Sequence, residues 1–306
     1  MLPGGTICSF EDENGQRHTN AKRTKIETSV TDTQFVKRIP YDVLSENMTV
    51  ERWNTLVSKL KAYNFEQYKG VIILHGTDTL AYTANFLSII FSGAKVPVFL
   101  VSSQLPLDNP KANGYDNFKT AVKLINDNIL ANVYVPYRNS DGKMYVHLAS
   151  RITQCPNYSD DFTSVNGNII KKCKQELRLF ENLIRLKPNV MILKPYIGLD
   201  YSALNLKKIK AVVHGTYHSE TVCVNCTNKN HSVNYLLDKG ITVIISPCKK
   251  GVYDSTVDAI ENGVIPVYGM TDEMLYVKTL IGLYLGNLKE FLNLNINNEY
   301  YEEEEV

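Results

Sequence analysis

The sequence predicts an α/β protein of two doubly wound domains with mostly parallel sheets, because short apolar runs alternate with amphipathic stretches along most of its 306 residues. The runs are rich in β-branched residues and end in polar turns, which is typical of strands buried on both faces. The stretches between them carry apolar residues at helical spacing. Apolar residues make up 44% of the chain and charged residues 21%, so a large core can form.

Strand, turn and helix repeat in the N-terminal half. Strands are predicted at residues 71–74, 98–101 and 133–135, and helices at 80–91 and 118–129. The first two strands end in the polar segments His75–Thr79 and Ser102–Gln104. Since open parallel sheets bind ligands beyond the carboxyl ends of their strands, both segments are candidates for a site.

The alternation resumes in the C-terminal half, with strands predicted at 190–193, 211–213, 241–245 and 265–267. Thr271 is predicted to cap a long apolar helix that runs to about Leu292, and residues 300–306 (YYEEEEV) read as a solvated acidic tail. The predicted division is a larger N-terminal domain over 1–165, a segment over 166–188 that is either linker or helix, and a smaller C-terminal domain over 189–306.

The charge balance argues against nucleic acid or a membrane as a partner. Basic residues number 33 and acidic residues 32, for a formal net charge of +1, so the chain has no strong field of one sign. No stretch approaches the roughly 18 apolar residues that a membrane span needs. The pattern of a secretory signal is missing, and a cytoplasmic location is expected.

Two of the six cysteines, Cys223 and Cys226, form a C-x-x-C flanked by His218 and His231. A zinc or redox site could use this spacing. A second C-x-x-C, or histidines at finger spacing, would make a zinc site convincing, and neither is present. The expectation is therefore reduced thiols and no metal.

Three segments carry residue types suited to catalysis: Gly4–Ile7 (GGTI), Leu44–Thr49 (LSENMT) and His75–Thr79 (HGTDT). Gly4-Gly5 permits a tight turn that could present Thr6, although a plain turn explains it equally well. In HGTDT, a hydroxyl and a carboxylate adjacent on a strand-to-helix turn suit the activation of a nucleophile. The alternative is that Thr77, Asp78 or Thr79 simply caps the helix.

GGTI near the N-terminus, followed by HGTDT after a buried strand, resembles the paired motifs of the bacterial-type L-asparaginase family. The resemblance continues through LSENMTVERW, SSQLPLDNPKANGYDNF, YHSETV, SPCKKGVYDST and GMTDEMLYVK. It therefore covers nearly the whole chain in order, and it is greatest to the cytosolic type I members.

The resemblance implies hydrolysis of L-asparagine to L-aspartate and ammonia through an acyl-threonine, without metal or organic cofactor. Thr6 matches the nucleophile. Thr77 and Asp78 match the second threonine and the aspartate, which also holds the substrate amino group. Ser45 matches the serine that binds the α-carboxylate, and Glu46 and Ser103 are further candidates for substrate contact. Family members complete each pocket with a neighbouring C-terminal domain, so a homodimer or homotetramer is expected.

Three departures from the family predict weak activity. Only Met1-Leu2-Pro3 precede GGTI, where the family has an apolar strand central to the sheet; a start site assigned too late would explain this. The family's catalytic lysine lies nine residues before a phenylalanine matched by Phe162, and that position is Thr153, with Arg151 and Gln154 nearby. Arg151 could take its place. Residues 8–30 also lack the tyrosine that many members carry, and Phe10 is the only aromatic there.

Two other functions stay open. The chain could be an inactive homologue that only binds an amino acid through Ser45 and Asp78. It could also resemble the related amidotransferase subunit, which supplies ammonia to a transfer-RNA-linked substrate. The preference among asparagine, glutamine and D-isomers is likewise open.

Overall fold

The computed structural model of the protein describes residues 1–165, 170–182, 185–246 and 253–301. It consists of two compact units, one formed by Met1–Arg185 with Ile296–Asn298 and the other by Leu186–Asn295 with the residues from Glu299 onward. The predicted α/β class with mostly parallel sheets is confirmed. No helix within the described ranges is long and apolar enough to cross a bilayer.

The first unit is built on a four-stranded sheet. The described strands of this unit are β1 (Ser9–Glu11), β2 (Arg17–Thr19), β3 (Val71–Leu74), β4 (Val98–Val101), β5 (Val133–Arg138), β6 (Met144–Leu148), β7 (Ile152–Thr153) and β8 (Thr163–Ser164). Its described helices are α1 (Val50–Leu60), α2 (Leu80–Ile90), α3 (Gly114–Asn126) and α4 (Leu179–Asn182). The sheet has the order β3-β4-β5-β6. The β3–β4 and β4–β5 pairs are parallel, whereas β5 and β6 are antiparallel.

Helices pack on this sheet through apolar residues at helical spacing. On α3, Phe118, Ala121, Val122 and Ile125 are buried in the same core cluster as Phe99 and Tyr134 of the sheet. On α1, the Thr49 hydroxyl caps the first turn by accepting from the N–H of Arg52 at 3.3 Å. The indole of Trp53 stacks on Phe86 of α2, with ring centroids 4.6 Å apart. The Trp53–Phe86 stack packs α1 against α2, the helix that follows the HGTDT turn.

The outer edge of β3 is partly covered by the first residue of the chain. The amino group of Met1 donates to the carbonyl of Ile72 at 2.7 Å, and the N–H of Leu74 donates to the carbonyl of Met1 at 2.9 Å. Alternate residues of a strand direct their N–H and C=O groups to opposite sides, so Ile72 faces away from β4. A cavity of about 490 Å³, lined mainly by apolar side chains, borders Ile72 on that side.

The second unit holds a fully parallel sheet with the order β12-β11-β10-β9. Its described strands are β9 (Val190–Leu193), β10 (Ala211–His214), β11 (Thr242–Ile245) and β12 (Ile265–Pro266). Its described helices are α5 (Asn234–Asp238), α6 (Asp254–Glu261), α7 (Asp272–Leu285) and α8 (Leu288–Asn293). All four strands lie at or within one or two residues of the predicted positions.

The predicted long helix begins where expected and ends earlier. Thr271 caps α7, its hydroxyl accepting from the N–H of Met274 at 3.3 Å. The prediction that one helix continues to about Leu292 is wrong, because Gly286 adopts the left-handed conformation (φ 76°) and closes α7 after Leu285. Glycine stops helices in this way because it lacks the Cβ that makes this conformation costly. The apolar pattern resumes in α8.

Residues 299–301, the last that the structure describes, are held by contacts within the second unit. The ammonium of Lys278 and a carboxylate oxygen of Glu299 lie 2.9 Å apart, and both side chains have zero exposure. The Tyr300 hydroxyl donates to the carbonyl of Leu292, and the N–H of Tyr301 donates to that of Gly269. The first two residues of the predicted solvated tail are thus held against the second unit. The rest of that tail, 302–306, lies outside the described residues.

Candidate active site

The HGTDT turn joins the buried end of β3 to α2. Thr79 is the residue that precedes the helix, yet its side chain makes no capping hydrogen bond. Its hydroxyl instead donates to the backbone carbonyl of Ser45 at 2.9 Å. The simpler alternative for this threonine, a helix cap, is therefore not what the structure shows.

Ser45 makes the central contact with this turn. It opens a short 3-10 turn, Ser45–Asn47, and its side chain is buried. Its hydroxyl donates to Oδ2 of Asp78 at 2.6 Å and accepts from the N–H of Asp78 at 3.2 Å. Two residues that the sequence assigned to one pocket are therefore in direct contact.

Two glycines let a third segment approach. Gly5 has φ 83°, and a Cβ placed on it would lie 2.2 Å from the nitrogen of Gly76. A Cβ on Gly76 would lie 2.3 Å from the Ser45 hydroxyl oxygen. No side chain fits at either position. This close backbone approach packs the segment that begins at Thr6 against the HGTDT turn.

The candidate side chains differ in exposure. Asp78 and Glu46 are exposed, Thr6 and Thr77 are half-buried, and Ser45 is buried. Two carboxylates and two half-buried threonines are thus accessible to a small polar molecule, beside a buried serine. The structure gives no direct contact that assigns a role to Glu46, and the catalytic and binding roles of all five residues stay predictions.

Ser103 is used within the protein. It has zero exposure, and its hydroxyl donates to the carbonyl of Leu105 at 2.6 Å and accepts from the N–H of Gly114 at 3.1 Å. Both bonds stabilise the connection between β4 and α3. Its predicted contact with substrate has no support in these bonds and stays a prediction.

Gln154 contacts the HGTDT turn from the side where the family lysine was expected. Its Nε2 donates to the carbonyl of Asp78, and its Oε1 accepts from the N–H of Ala81 at 3.1 Å. The Thr153 hydroxyl lies 3.1 Å from that of Thr163, and Nε of Arg151 donates to the carbonyl of Asn298 at 2.5 Å. Gln154, the residue next to Thr153, thus contacts the HGTDT turn, and the match of Thr153 to the family lysine stays a prediction.

His75 has a structural role. Its Nδ1 donates to the carbonyl of Gly76 at 2.7 Å, and burial lowers the pKa of the ring to about 4, so the imidazole is neutral near pH 7. In the second unit, His214 ends β10 and makes the same bond to Gly215 at 2.6 Å. The recurrence of this bond at two strand ends indicates that it shapes the turn.

Other nucleophiles and metal ligands are less suitable. Burial, with the nearby carboxylates of Asp160, Asp161 and Asp78, raises the pKa of the Cys155 thiol to about 12. Burial also raises the pKa of Cys8 to about 11. Thiolates are scarce at these positions near neutral pH. Within the described parts of the chain, no group of three or more His, Cys, Asp or Glu residues is arranged to hold a metal.

Comparison with known families gives one match over more than half of the chain. The family model described as asparaginase, N-terminal, matches residues 1–185. That range contains every residue of the candidate site.

Curated relatives and solved structures extend the similarity over the full length. Two of the relatives are the same component of an archaeal glutamyl-tRNA(Gln) amidotransferase, from two organisms. The chain is 27% identical to the component from Methanococcus maripaludis, over 99% of this chain and 80% of the relative. It is 26% identical to the one from Thermococcus kodakarensis, over 96% of this chain and 73% of the relative.

Among solved structures, the fold is similar to the thermostable L-asparaginase of Thermococcus kodakarensis, with TM-score 0.78, 22% identity and 98% of both chains covered. L-asparaginase I of Vibrio cholerae gives TM-score 0.76, 19% identity and the same coverage. A probable cytoplasmic L-asparaginase of Campylobacter jejuni gives TM-score 0.72 and 23% identity, over 95% of this chain and 97% of that chain. At these identities the likeness supports the fold.

Proposed function

Since this chain belongs to the asparaginase family, we propose that it hydrolyses the side-chain amide of L-asparagine, giving L-aspartate and ammonia. The observation that carries the proposal is the contact between Ser45 and Asp78, 2.6 Å across. It joins a neutral hydroxyl donor and a carboxylate, the two groups needed to bind the α-carboxylate and α-ammonium of an amino acid.

The Ser45 hydroxyl and the Asp78 carboxylate are hydrogen-bonded to each other. A hydroxyl has one proton to donate, and Ser45 donates it to Asp78. A zwitterionic substrate supplies both replacements: its carboxylate accepts the Ser45 proton, and its ammonium binds the freed carboxylate of Asp78. We infer that an amino-acid backbone opens this pair, whereas a ligand with only one of the two charges leaves one partner unsatisfied.

Thr6 is the proposed nucleophile. Its hydroxyl oxygen bonds to the amide carbon of asparagine, its proton passes to the departing nitrogen, and ammonia leaves behind an acyl-threonine ester. Water then attacks the ester, returns the proton to the Thr6 oxygen and releases aspartate. Thr77 stands beside Asp78 on the turn and is proposed to move the proton. Neither Cys8 nor Cys155 competes, because burial keeps both thiols protonated near neutral pH.

Turnover is proposed to be slow relative to binding. Gln154 contacts the turn through hydrogen bonds, but an amide carries no positive charge and does not exchange protons as an amine does. We propose that Gln154 takes the place of the ammonium that the resemblance implies, so that the Asp78–Thr77 segment has a positioning contact without a charge. We propose that the protein works in the cytoplasm as a homodimer or homotetramer. Light scattering on the purified chain tests the oligomeric state.

Ammonia release decides the proposal. Purified protein is incubated with L-asparagine, L-glutamine or D-asparagine, and ammonia is measured with a coupled enzyme; L-asparagine should give the highest rate. Binding of L-asparagine by calorimetry without ammonia release would replace the proposal with the inactive binding homologue. A protein that neither binds L-asparagine nor releases ammonia would contradict both the asparaginase and the binding homologue.

A second candidate, an ammonia-supplying amidotransferase component, is favoured by the amidotransferase relatives, one of which matches 99% of this chain. In that case the chain works with a partner that consumes the ammonia. Affinity purification of the chain from its own cells, followed by mass spectrometry, should then recover one partner protein in equal amount. Recovery of the chain as a homo-oligomer that releases free ammonia favours the asparaginase.

A further inference from the structure

The C-x-x-C of the second unit contains a disulfide. Cys223 and Cys226 are joined by a disulfide, with Cα atoms 6.6 Å apart, a separation within the range that disulfides span. The expectation that these two thiols are reduced is therefore wrong for this structure. Neither cysteine belongs to the candidate active site.

The surrounding loop is held independently of the disulfide. The neighbours Val222 and Val224 are buried in the core of the second unit. The carbonyl of Cys223 accepts from the N–H of Val233 at 2.8 Å, and Asn225 donates to the carboxylate of Asp258 at 2.8 Å. Both cysteines are themselves half-buried. The bond can therefore open while the backbone around it stays anchored, and a small reagent can reach it.

Neither flanking histidine supports a zinc site. Nδ1 of His231 hydrogen-bonds to the carbonyl of Leu199 at 2.7 Å, and His218 is exposed. A structural zinc needs four ligands, and the described residues contain no group of even three suitable side chains. The pair also lacks the setting of a catalytic thiol, since it lies in irregular chain and not at the N-terminus of an α-helix.

We propose that Cys223 and Cys226 form a reversible dithiol–disulfide site that exchanges with small thiols and disulfides of the glutathione class. In oxidation, the thiolate of one cysteine attacks a sulfur of glutathione disulfide, forming a mixed disulfide and releasing one glutathione. The other cysteine then attacks the sulfur of the first and releases the second glutathione. The protein loses two electrons and two protons, and one glutathione disulfide becomes two thiols.

The other described cysteines are poor competitors. The raised pKa values of Cys8 and Cys155, about 11 and about 12, keep both as thiols. The Cys173 sulfur lies 3.1 Å from the backbone carbonyl oxygens of Gln175 and Ile296, and its single proton is available to either of them. Among the described cysteines, oxidation is therefore directed to the C-x-x-C, whose two sulfurs already lie together.

The test uses the full chain at a series of ratios of reduced to oxidised glutathione. Samples are quenched in acid, alkylated with a maleimide and mapped by mass spectrometry. The peptide that carries both cysteines should lose two alkylation sites together as the buffer becomes oxidising, and regain them on reduction. Cys155 and Cys173 should stay alkylated throughout. Reduction of the native chain should also lower its melting temperature by a few degrees.

The variants isolate the mechanism. Cys226→Ser should trap a glutathione adduct on Cys223, whereas the matched Cys173→Ser should behave like the native chain. The proposal fails if Cys223 and Cys226 stay alkylated like Cys173 in oxidised glutathione, if the native chain forms only intermolecular disulfides, or if it purifies with one zinc that Cys223→Ser removes. The native-chain measurements decide the matter even if a variant does not fold.

Discussion

The hydroxyl of Ser45 donates a hydrogen bond to Oδ2 of Asp78 over 2.6 Å, although the two residues are 33 positions apart in the chain. The contact exists because a 3-10 turn and a strand-to-helix turn meet at Gly76, where a Cβ would collide with Ser45. The geometry therefore depends on a glycine that takes no part in chemistry. It places a potential substrate-binding pair beside the segment of Thr6.

Thr6→Ala should remove ammonia release from asparagine and leave the fold intact. Without the hydroxyl no acyl-threonine forms, and loss of a nucleophile commonly costs at least about a thousandfold in rate. Circular dichroism and melting temperature should match the native chain. Thr55→Ala, at an exposed position of α1 outside the candidate site, is the control and should keep native activity. Unchanged release by Thr6→Ala contradicts the covalent route.

Ser45→Ala should weaken binding of asparagine by about tenfold to a hundredfold, because an unpaired polar group costs roughly 1–3 kcal/mol. Two analogues sharpen the measurement. Succinamic acid, which lacks the amino group, should lose affinity as asparagine does. 3-Aminopropanamide, which lacks the α-carboxylate, should bind the variant no worse than the native chain. Equal losses for both analogues by calorimetry would show that Ser45 does not bind the carboxylate.

Gln154→Lys should raise the rate of ammonia release, because it introduces a cation where a side chain already contacts the backbone of Asp78. Thr153→Lys should have little effect, since Thr153 pairs with Thr163. Gln154→Met keeps the length without charge or hydrogen bond, and it should lower the rate. Steady-state kinetics on the three variants separates charge from position, and a higher rate for Thr153→Lys alone would reverse the assignment.

The protein should lose stability as the pH falls from 6.5 towards 4. Burial lowers the pKa values of His75 and His147 to about 4, from an ordinary value of 6.5. Between pH 6.5 and 4 the unfolded chain binds protons at these histidines and the folded chain does not. The free energy of unfolding therefore decreases as the pH falls. Each histidine contributes up to roughly 3 kcal/mol over this interval.

Urea titrations at several pH values measure this dependence. His147→Gln should flatten the slope between pH 6.5 and 4, whereas His218→Gln, at an exposed position, should not. A slope that is identical in the native chain and in His147→Gln would show that this ring does not control acid stability.

Periodicity predicted the sheets well because their strands are short, apolar and bounded by turns. Residues 71–74, 98–101 and 190–193 are strands with the predicted bounds. The end of α7 was missed because Gly286 interrupts a stretch that stays apolar on both sides, and composition alone does not reveal φ. The burial of Glu299 was also hidden, since its partner Lys278 lies 21 positions earlier.

The candidate site shows the same limits. Motifs selected Ser45 and Asp78, and their contact follows the prediction that they share a pocket. The Thr79–Ser45 bond and the double contact of Gln154 depend on tertiary geometry. For Gln154, the available signal was a polar side chain next to the position reached by counting. A shift of one residue in that count leads from Thr153, which pairs with Thr163, to Gln154, which contacts the turn.

The partly covered edge of β3 has a practical consequence for handling the protein. This margin borders a cavity that is lined mainly by apolar side chains, and one of them, Val36, is exposed. Exposed apolar surface favours association between molecules. Colloidal behaviour should therefore be governed by this margin more than by net charge, which at +1 offers little repulsion. Concentrated stocks are expected to associate slowly at near-neutral pH, and dilute stocks at a pH well above the isoelectric point of about 7.6 should keep longest.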